Sequence, residues 1–249
     1  MTLEIIASCV CVAAMAVLVP LFLKAAWPEK TNKSLLLKMI CATLFVLIAL
    51  LQMRIADNYS DFAVKMLWGF AFSWLGDFFM HMRLKPKAVW YALGVASFLG
   101  GHVMFVSAYA LAAQKLLGAS FWNPAEIAVI AVLFIAAVFI LFRMSKNHSN
   151  KLLPMLMVYA AAVLTMMVKA VSLGVRLFAD GQQPWYAALL LIAGGICFPL
   201  SDVLLLLIDF GGTPHHPDRF KTFKVKSVNI WTYFAAQCLL AFTVLFIYA

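Results

Sequence analysis

The sequence predicts an all-α integral membrane protein, a single-domain bundle of about eight transmembrane helices with a 4+4 parallel pseudo-repeat suggested within it. Three observations carry this. The chain is 65% hydrophobic and only 12% charged, with a mean hydropathy of +0.98, a balance that excludes a soluble domain. Its apolar residues come in unbroken runs of roughly 20, the length a helix needs to cross a bilayer core. Its basic residues gather in every other connection between those runs.

In chain order, the runs predict helices over 3–23, 35–53, 62–81, 88–111, 125–142, 152–178, 185–208 and 228–248. The first has Glu4 at its start and no basic segment before it, so it reads as a span and not as a cleaved signal peptide. The odd-numbered connections hold Lys24, Lys30, Lys33 and Lys38, then Arg83, Lys85 and Lys87, then Arg143, Lys146 and Lys151, then Arg219, Lys221, Lys224 and Lys226. The even-numbered ones hold Arg54, Lys65, Lys115 and Arg176. Fourteen against four places the odd connections in the cytoplasm and both termini on the other side. Trp27, Trp90, Trp122 and Trp185 near the ends of runs fit interfacial belts. The net charge of +9 therefore reads as a topology signal; no basic face with interleaved aromatics points to nucleic acid. The five cysteines, Cys9, Cys11, Cys41, Cys197 and Cys238, lie in apolar runs without CxxC spacing and read as packing residues.

Two carboxylates interrupt the apolar runs. Asp77 lies in Phe72-Ser73-Trp74-Leu75-Gly76-Asp77, and Asp202 follows Ser201 in the seventh run. A charge at the centre of a span costs roughly 2.5–3.5 kcal/mol on insertion scales, so such residues face a protein interior or a watery cavity and mark function. Six residues before Arg83, Asp77 falls in the cytoplasmic half, and Asp202 is expected at a similar depth. Thr31-Asn32-Lys33-Ser34-Leu35-Leu36 is echoed by Ser149-Asn150-Lys151-Leu152-Leu153. A parallel repeat of four helices plus four would bring the two aspartates face to face.

Other polar residues qualify less sharply. Ser73, Asp77 and His81 share a helical stripe, but three residues on one helix cannot form a nucleophilic relay, and no G-x-S-x-G turn is present. His81 reads as interfacial. His102 follows Gly100-Gly101, where a backbone or ligand can come close, and reads as a hydrogen-bonded packing residue or a site residue. With one deep histidine, no metal site is expected, and no cofactor motif appears. Lys169 reads as snorkelling towards the outer surface or as paired with a carboxylate. Lys38 is either a boundary lysine or a contact for a lipid phosphate. Tyr233 and Gln237, one turn apart, and Tyr159 read as interhelical bonds or substrate contacts.

Taken together, Phe72–Asp77, Gly101-His102, Lys151-Leu152-Leu153-Pro154 with Tyr159 and Met166, Ser201-Asp202, and Thr232-Tyr233 with Gln237 resemble the YhhN-like lysoplasmalogenase family of multi-span membrane proteins. The resemblance spans roughly residues 35–245. It implies cleavage of the vinyl ether bond of a lysoplasmalogen to a fatty aldehyde and a glycerophospho-base, with Asp77 and Asp202 as the catalytic pair. Lys38, Ser73, His102, Tyr159, Ser201, Tyr233 and Gln237 are then substrate-binding or supporting residues. Pro199, and Met39 where the pattern has proline, depart from the family. The chemistry suits two carboxyls: one protonates the β-carbon of the enol ether, and the other, ionised, serves the oxocarbenium ion and the water that captures it, as in glycosidases. The lipid would enter from the cytoplasmic leaflet, with its headgroup near Lys38 or the basic loops. The rival reading is a proton- or cation-coupled transporter, kept open by Pro199 and Gly194-Gly195; a lipid-binding scaffold without chemistry is a third. Oligomeric state is not specified by the sequence.

Overall fold

The computed structural model describes residues 2–82, 87–145, 153–212, 216 and 218–249. The described residues form eight helices: α1 (Thr2–Ala25), α2 (Asn32–Ala56), α3 (Asp61–His81), α4 (Lys87–Leu117), α5 (Pro124–Ser145), α6 (Leu153–Asp180), α7 (Trp185–Phe210) and α8 (Phe223–Thr243). On length and composition six of them can cross a membrane; α3 and α8 fall short. Both carry polar residues of the interior, Ser73 and Asp77 on α3 and Asn229 and Gln237 on α8, turned away from the lipid-facing surface.

The helix ends have local causes. Thr31 caps α2 by accepting from Ser34 N while the Ser34 hydroxyl accepts from Thr31 N, a reciprocal box that satisfies two donors at the helix start. α4 continues past the predicted residue 111 to Leu117, where Gly118 takes the left-handed conformation that ends helices. α8 begins earlier than predicted, at Phe223, because Thr222 caps its basic first turn. It also stops at Thr243. Beyond it, Asn58 Nδ2 donates to the carbonyls of Val244 and Ile247, at 2.7 Å each, and ties the C-terminal turn to the end of α2.

Neighbouring helices pair alike in the two halves. α1 packs on α2 as α5 does on α6, α2 on α3 as α6 on α7, and α3 on α4 as α7 on α8. Across the halves, α2 meets α8 as α6 meets α4, the pattern a parallel 4+4 pseudo-repeat generates. The echo at 149–153 that suggested the repeat lies mostly outside the described residues, as do Arg83, Lys85, Lys146, Lys151 and His215. Packing between α3 and α4 depends on small residues: a Cβ at Gly101 would stand 3.1 Å from the Gly69 carbonyl oxygen. At Gly195 it would meet the Ala170 Cβ at 2.7 Å, so the glycine pair of α7 serves contact with α6 and α8. α2 and α7 run unbroken through Met39 and Pro199, the two departures from the family pattern.

Candidate functional site

A cavity of about 800 Å³ opens among the helix ends that meet the odd-numbered connections. Its wall is mostly apolar, with Phe79, Val95, Leu141, Leu156 and Leu206 among the lining residues. Both Asp77 and Asp202 line it. The volume lies within the roughly 300–1,000 Å³ of small-molecule sites, and an apolar wall with a few polar groups is their usual chemistry.

Asp77 is buried, about one turn before the end of α3. Its Oδ1 lies 2.8 Å from Lys38 Nζ, and its Oδ2 accepts from the Tyr233 hydroxyl at 2.8 Å. Since that hydroxyl donates to the carboxylate, it accepts from Gln237 Nε2, 3.1 Å away on the next turn of α8. Gln237, Tyr233 and Asp77 thus form a directed chain of hydrogen bonds ending on one side of the carboxylate, with an ammonium on the other.

Asp202 is built on the same plan with different chemistry. The Tyr159 hydroxyl donates to its Oδ2 at 3.0 Å, and His102 Nε2 lies 3.1 Å from that hydroxyl and 4.0 Å from the carboxylate. For Tyr159 to donate forward, His102 must supply a proton from Nε2, the counterpart of the Gln237 amide. Each aspartate takes one partner from its own half of the bundle, Lys38 on α2 or Tyr159 on α6. The other half reaches each site through Tyr233 on α8 or His102 on α4. The side chain of Asp202 is 18% exposed and that of Asp77 1%, so Asp202 is the more open to the cavity. The two carboxylates share the cavity, but no hydrogen bond joins them. Asp202 also lies about two turns from its helix end, one turn deeper than Asp77.

Of the remaining expected residues, Ser201 supports Asp202 and the others lie in separate networks. Ser201 accepts from Asn229 Nδ2 at its hydroxyl, 3.1 Å, and at its carbonyl, 2.6 Å, which fixes the rotation of α7 that presents Asp202. Ser73 donates to the Gly69 carbonyl of its own helix at 3.0 Å and packs against Gly101; it touches neither aspartate. His81 is a correction. Instead of lying at the interface it is buried, 2.7 Å from the Ser34 hydroxyl and beside the Phe22 ring, because α1 and α2 close over the end of α3. Lys169 is another. It is buried 2.6 Å from Glu126, whose other oxygen takes the Ser172 hydroxyl at 2.6 Å, and it also bonds the Phe121 carbonyl. Among the described residues no group of three or more histidines, cysteines or acids is placed to hold a metal.

Sequence reasoning passed over Asn229 and Phe198. Asn229 sits one turn before Tyr233 and two before Gln237, so the i, i+4, i+8 stripe on α8 was available as a signal. Phe198 packs its ring 4.9 Å from that of His102 and 5.7 Å from that of Tyr233, linking the two networks. Nothing in an apolar run distinguishes such a phenylalanine from its neighbours.

A helical bundle with spans long and apolar enough to cross a membrane, an apolar cavity and two separately held carboxylates defines a class of polytopic membrane proteins. Residues 33–244 match the YhhN family, and the chain belongs to it. No curated protein and no solved structure matches the chain.

Proposed function

We propose that the chain is a lysoplasmalogenase-type membrane hydrolase that cleaves the vinyl ether bond of an alkenyl-glycerophospholipid bearing a single chain. The observation that carries this reading is the unequal pair of carboxyls on one apolar cavity: Asp77 bound to an ammonium, Asp202 bound to a phenol and open to the cavity. Enol ether hydrolysis needs that inequality. Asp202 acts as the acid and delivers its proton to the β-carbon, and the double-bond electrons form the new C–H bond. Positive charge then rests on the α-carbon and ether oxygen. A water molecule adds to the α-carbon and gives up one proton, giving a hemiacetal. The hemiacetal loses its hydroxyl proton as the C–O bond to glycerol breaks, and the departing oxygen takes up a proton. The products are the aldehyde and the glycerophospho-base, with one water consumed.

In this scheme Asp77 provides the fixed negative charge facing the cation and the base for the attacking water. Lys38 and Tyr233 hold its two oxygens in place, and Tyr159 orients Asp202. The substrate's chain lies among the apolar side chains, and the glycerophosphate end points towards the basic connections. A transporter would use an interrupted helix to line its path. Here α7 is continuous across Pro199, and its glycine pair is filled by neighbouring side chains.

Purified protein in detergent, given a synthetic lysoplasmalogen, is expected to release fatty aldehyde. Asp77→Asn and Asp202→Asn should each lower the rate by roughly 10²–10⁴-fold, the range of general acid–base residues, while the protein still inserts and folds. Aldehyde release by either variant at more than about a tenth of the normal rate would remove that aspartate from the reaction.

A further inference from the structure

The bundle closes its cavity on one side and leaves it open on the corresponding side. α2, α3, α4, α6, α7 and α8 form a ring, each packed on the next, while α1 and α5 stand outside it in matching places. α1 covers the groove between α2 and α8 and touches both. Two contacts clasp its cavity end to α8: Lys226 Nζ donates to the Ala26 carbonyl at 2.5 Å, and the Trp27 and Phe223 rings meet edge to face at 5.8 Å. Phe22 and Ala26, where this side reaches the cavity, are 2% and 0% exposed.

By the same repeat α5 should cover the groove between α6 and α4, and it does so only on the α6 side. Among the described residues α5 makes no comparable contact with α4, and no hydrogen bond, ion pair or ring contact joins the two. Its polar ties to α6 lie at the far end of the helix, where Glu126 holds Lys169 and Ser172. At the cavity end, Ala137, Ile140 and Leu141 of α5 line the wall together with Trp90, Tyr91 and Val95 of α4. Ile140 is 52% exposed, against 2% for Phe22 on the closed side. Phe139 and Phe142 beside it are exposed as well, so Ile140 stands on the rim between the cavity and the outer face of the bundle.

We propose that the gap between α4 and α5 is a lateral portal through which the alkyl chain of a lipid passes from the bilayer into the cavity. Ile140 lies about a turn and a half inside the end of α5, a depth at which the outer face of the bundle meets hydrocarbon. The flanking helices keep their backbone polar groups bonded internally, so whatever enters meets apolar side chains alone. An alkyl chain suits that opening, since it comes from one apolar medium into another and gives up no hydration. It then follows a continuous apolar wall to the carboxylates. The portal rests on the reading of the cavity as a lipid site and adds the route by which the chain arrives.

The test follows capture of a lipid, so that it does not depend on hydrolysis. Full-length protein carrying Ile140→p-benzoylphenylalanine is illuminated in phosphatidylcholine nanodiscs with a trace of tagged saturated 1-O-alkyl glycerophosphoethanolamine, which has no double bond to cleave. Leu21→p-benzoylphenylalanine is the control: Leu21 lies at a similar depth on α1, is 47% exposed and does not line the cavity. Untagged lipid at about ten times its dissociation constant should lower capture at position 140 about ten-fold, because roughly a tenth of the sites then stay free. Capture at position 21 reports bulk lipid and should hardly change. In the unchanged protein, which needs no variant to fold, the same lipid with a diazirine in its chain should leave adducts on Ile140, Leu141 and Trp90.

Capture that does not saturate at position 140 would overturn the portal. So would adducts confined to the surroundings of Val203, an exposed residue of the cavity wall on α7. In aldehyde release, Ile140→Trp should lower the rate with a long-chain substrate about ten-fold more than with a short, water-soluble one, which needs no route through the bilayer. Equal losses with both substrates would also count against the portal. Saturable capture at position 140 without aldehyde from any vinyl ether would leave the portal standing and defeat the hydrolase reading alone.

Discussion

Asp77 and Asp202 are held in place by hydrogen bonds and charge from other helices, and those partnerships decide what each can do. Lys38 and Asp77 are both almost fully buried, so removing one partner leaves an uncompensated charge in a low-dielectric site. Lys38→Met is therefore expected to destabilise the protein by roughly 3–5 kcal/mol, and Lys38→Met with Asp77→Asn by much less, although the double variant stays inactive. Unfolding in detergent, followed for the two singles and the double, checks this; equal losses in Lys38→Met and the double would mean that the pair is not coupled. The aspartates themselves were legible in the sequence because a carboxylate in an apolar run has few bland explanations. Their partners were not. Tyr233 lies 156 residues from Asp77 along the chain, and only the rotation of α8 brings its hydroxyl there.

Among the helices, α5 is the most peripheral, with α6 as its main neighbour and most of its surface turned outwards. It is fastened at its first turn. Glu126 receives Lys169 and Ser172 from α6 and lies 3.5 Å from Arg176, while Lys169 also faces the Trp122 ring at 5.0 Å. Glu126→Gln should loosen this fastening and lower stability by roughly 3–5 kcal/mol, whereas Glu126→Leu with Lys169→Leu should recover much of the loss. Thermal unfolding of both variants decides it, and a double variant no more stable than the single would contradict the ion-pair account. Lys169 reads as snorkelling in the sequence because its partner stands across a connection, at a helix start where an acidic residue is ordinary. Helix positions were legible to within a few residues from hydropathy alone. The exceptions, α4 and α8, extend through amphipathic or basic turns that hydropathy does not register but Gly118 and Thr222 mark.

For the molecule as a whole, the cavity opens where the odd-numbered connections meet, the face that the charge bias assigns to the cytoplasm. In a chain with Cys9 replaced by alanine, a cysteine at Lys33 should react with an impermeant thiol reagent only from the cytoplasmic side, and one at Ser120 only from the other. The reverse pattern would place the cavity in the outer leaflet and change which lipids can reach it. The 4+4 pseudo-repeat was faintly legible in the sequence, and the pattern of helix contacts agrees with it. The side chains do not repeat with it: Lys38 on α2 and Tyr159 on α6 hold their aspartates from corresponding helices with different groups, and the other tyrosine, Tyr233, comes from α8.

The central claim is that a carboxyl group in this cavity protonates carbon, and turnover in heavy water tests it most directly. Protonation at the β-carbon brings in one hydrogen from solvent, so the released aldehyde should carry one deuterium at its second carbon. The aldehyde is trapped at once by reduction, and an unlabelled aldehyde incubated with the protein controls for later exchange. One deuterium at that carbon, absent from the control, is the result expected. An aldehyde whose second carbon is unlabelled would contradict proton transfer to carbon and remove the acid role assigned to Asp202, even if the vinyl ether is the substrate.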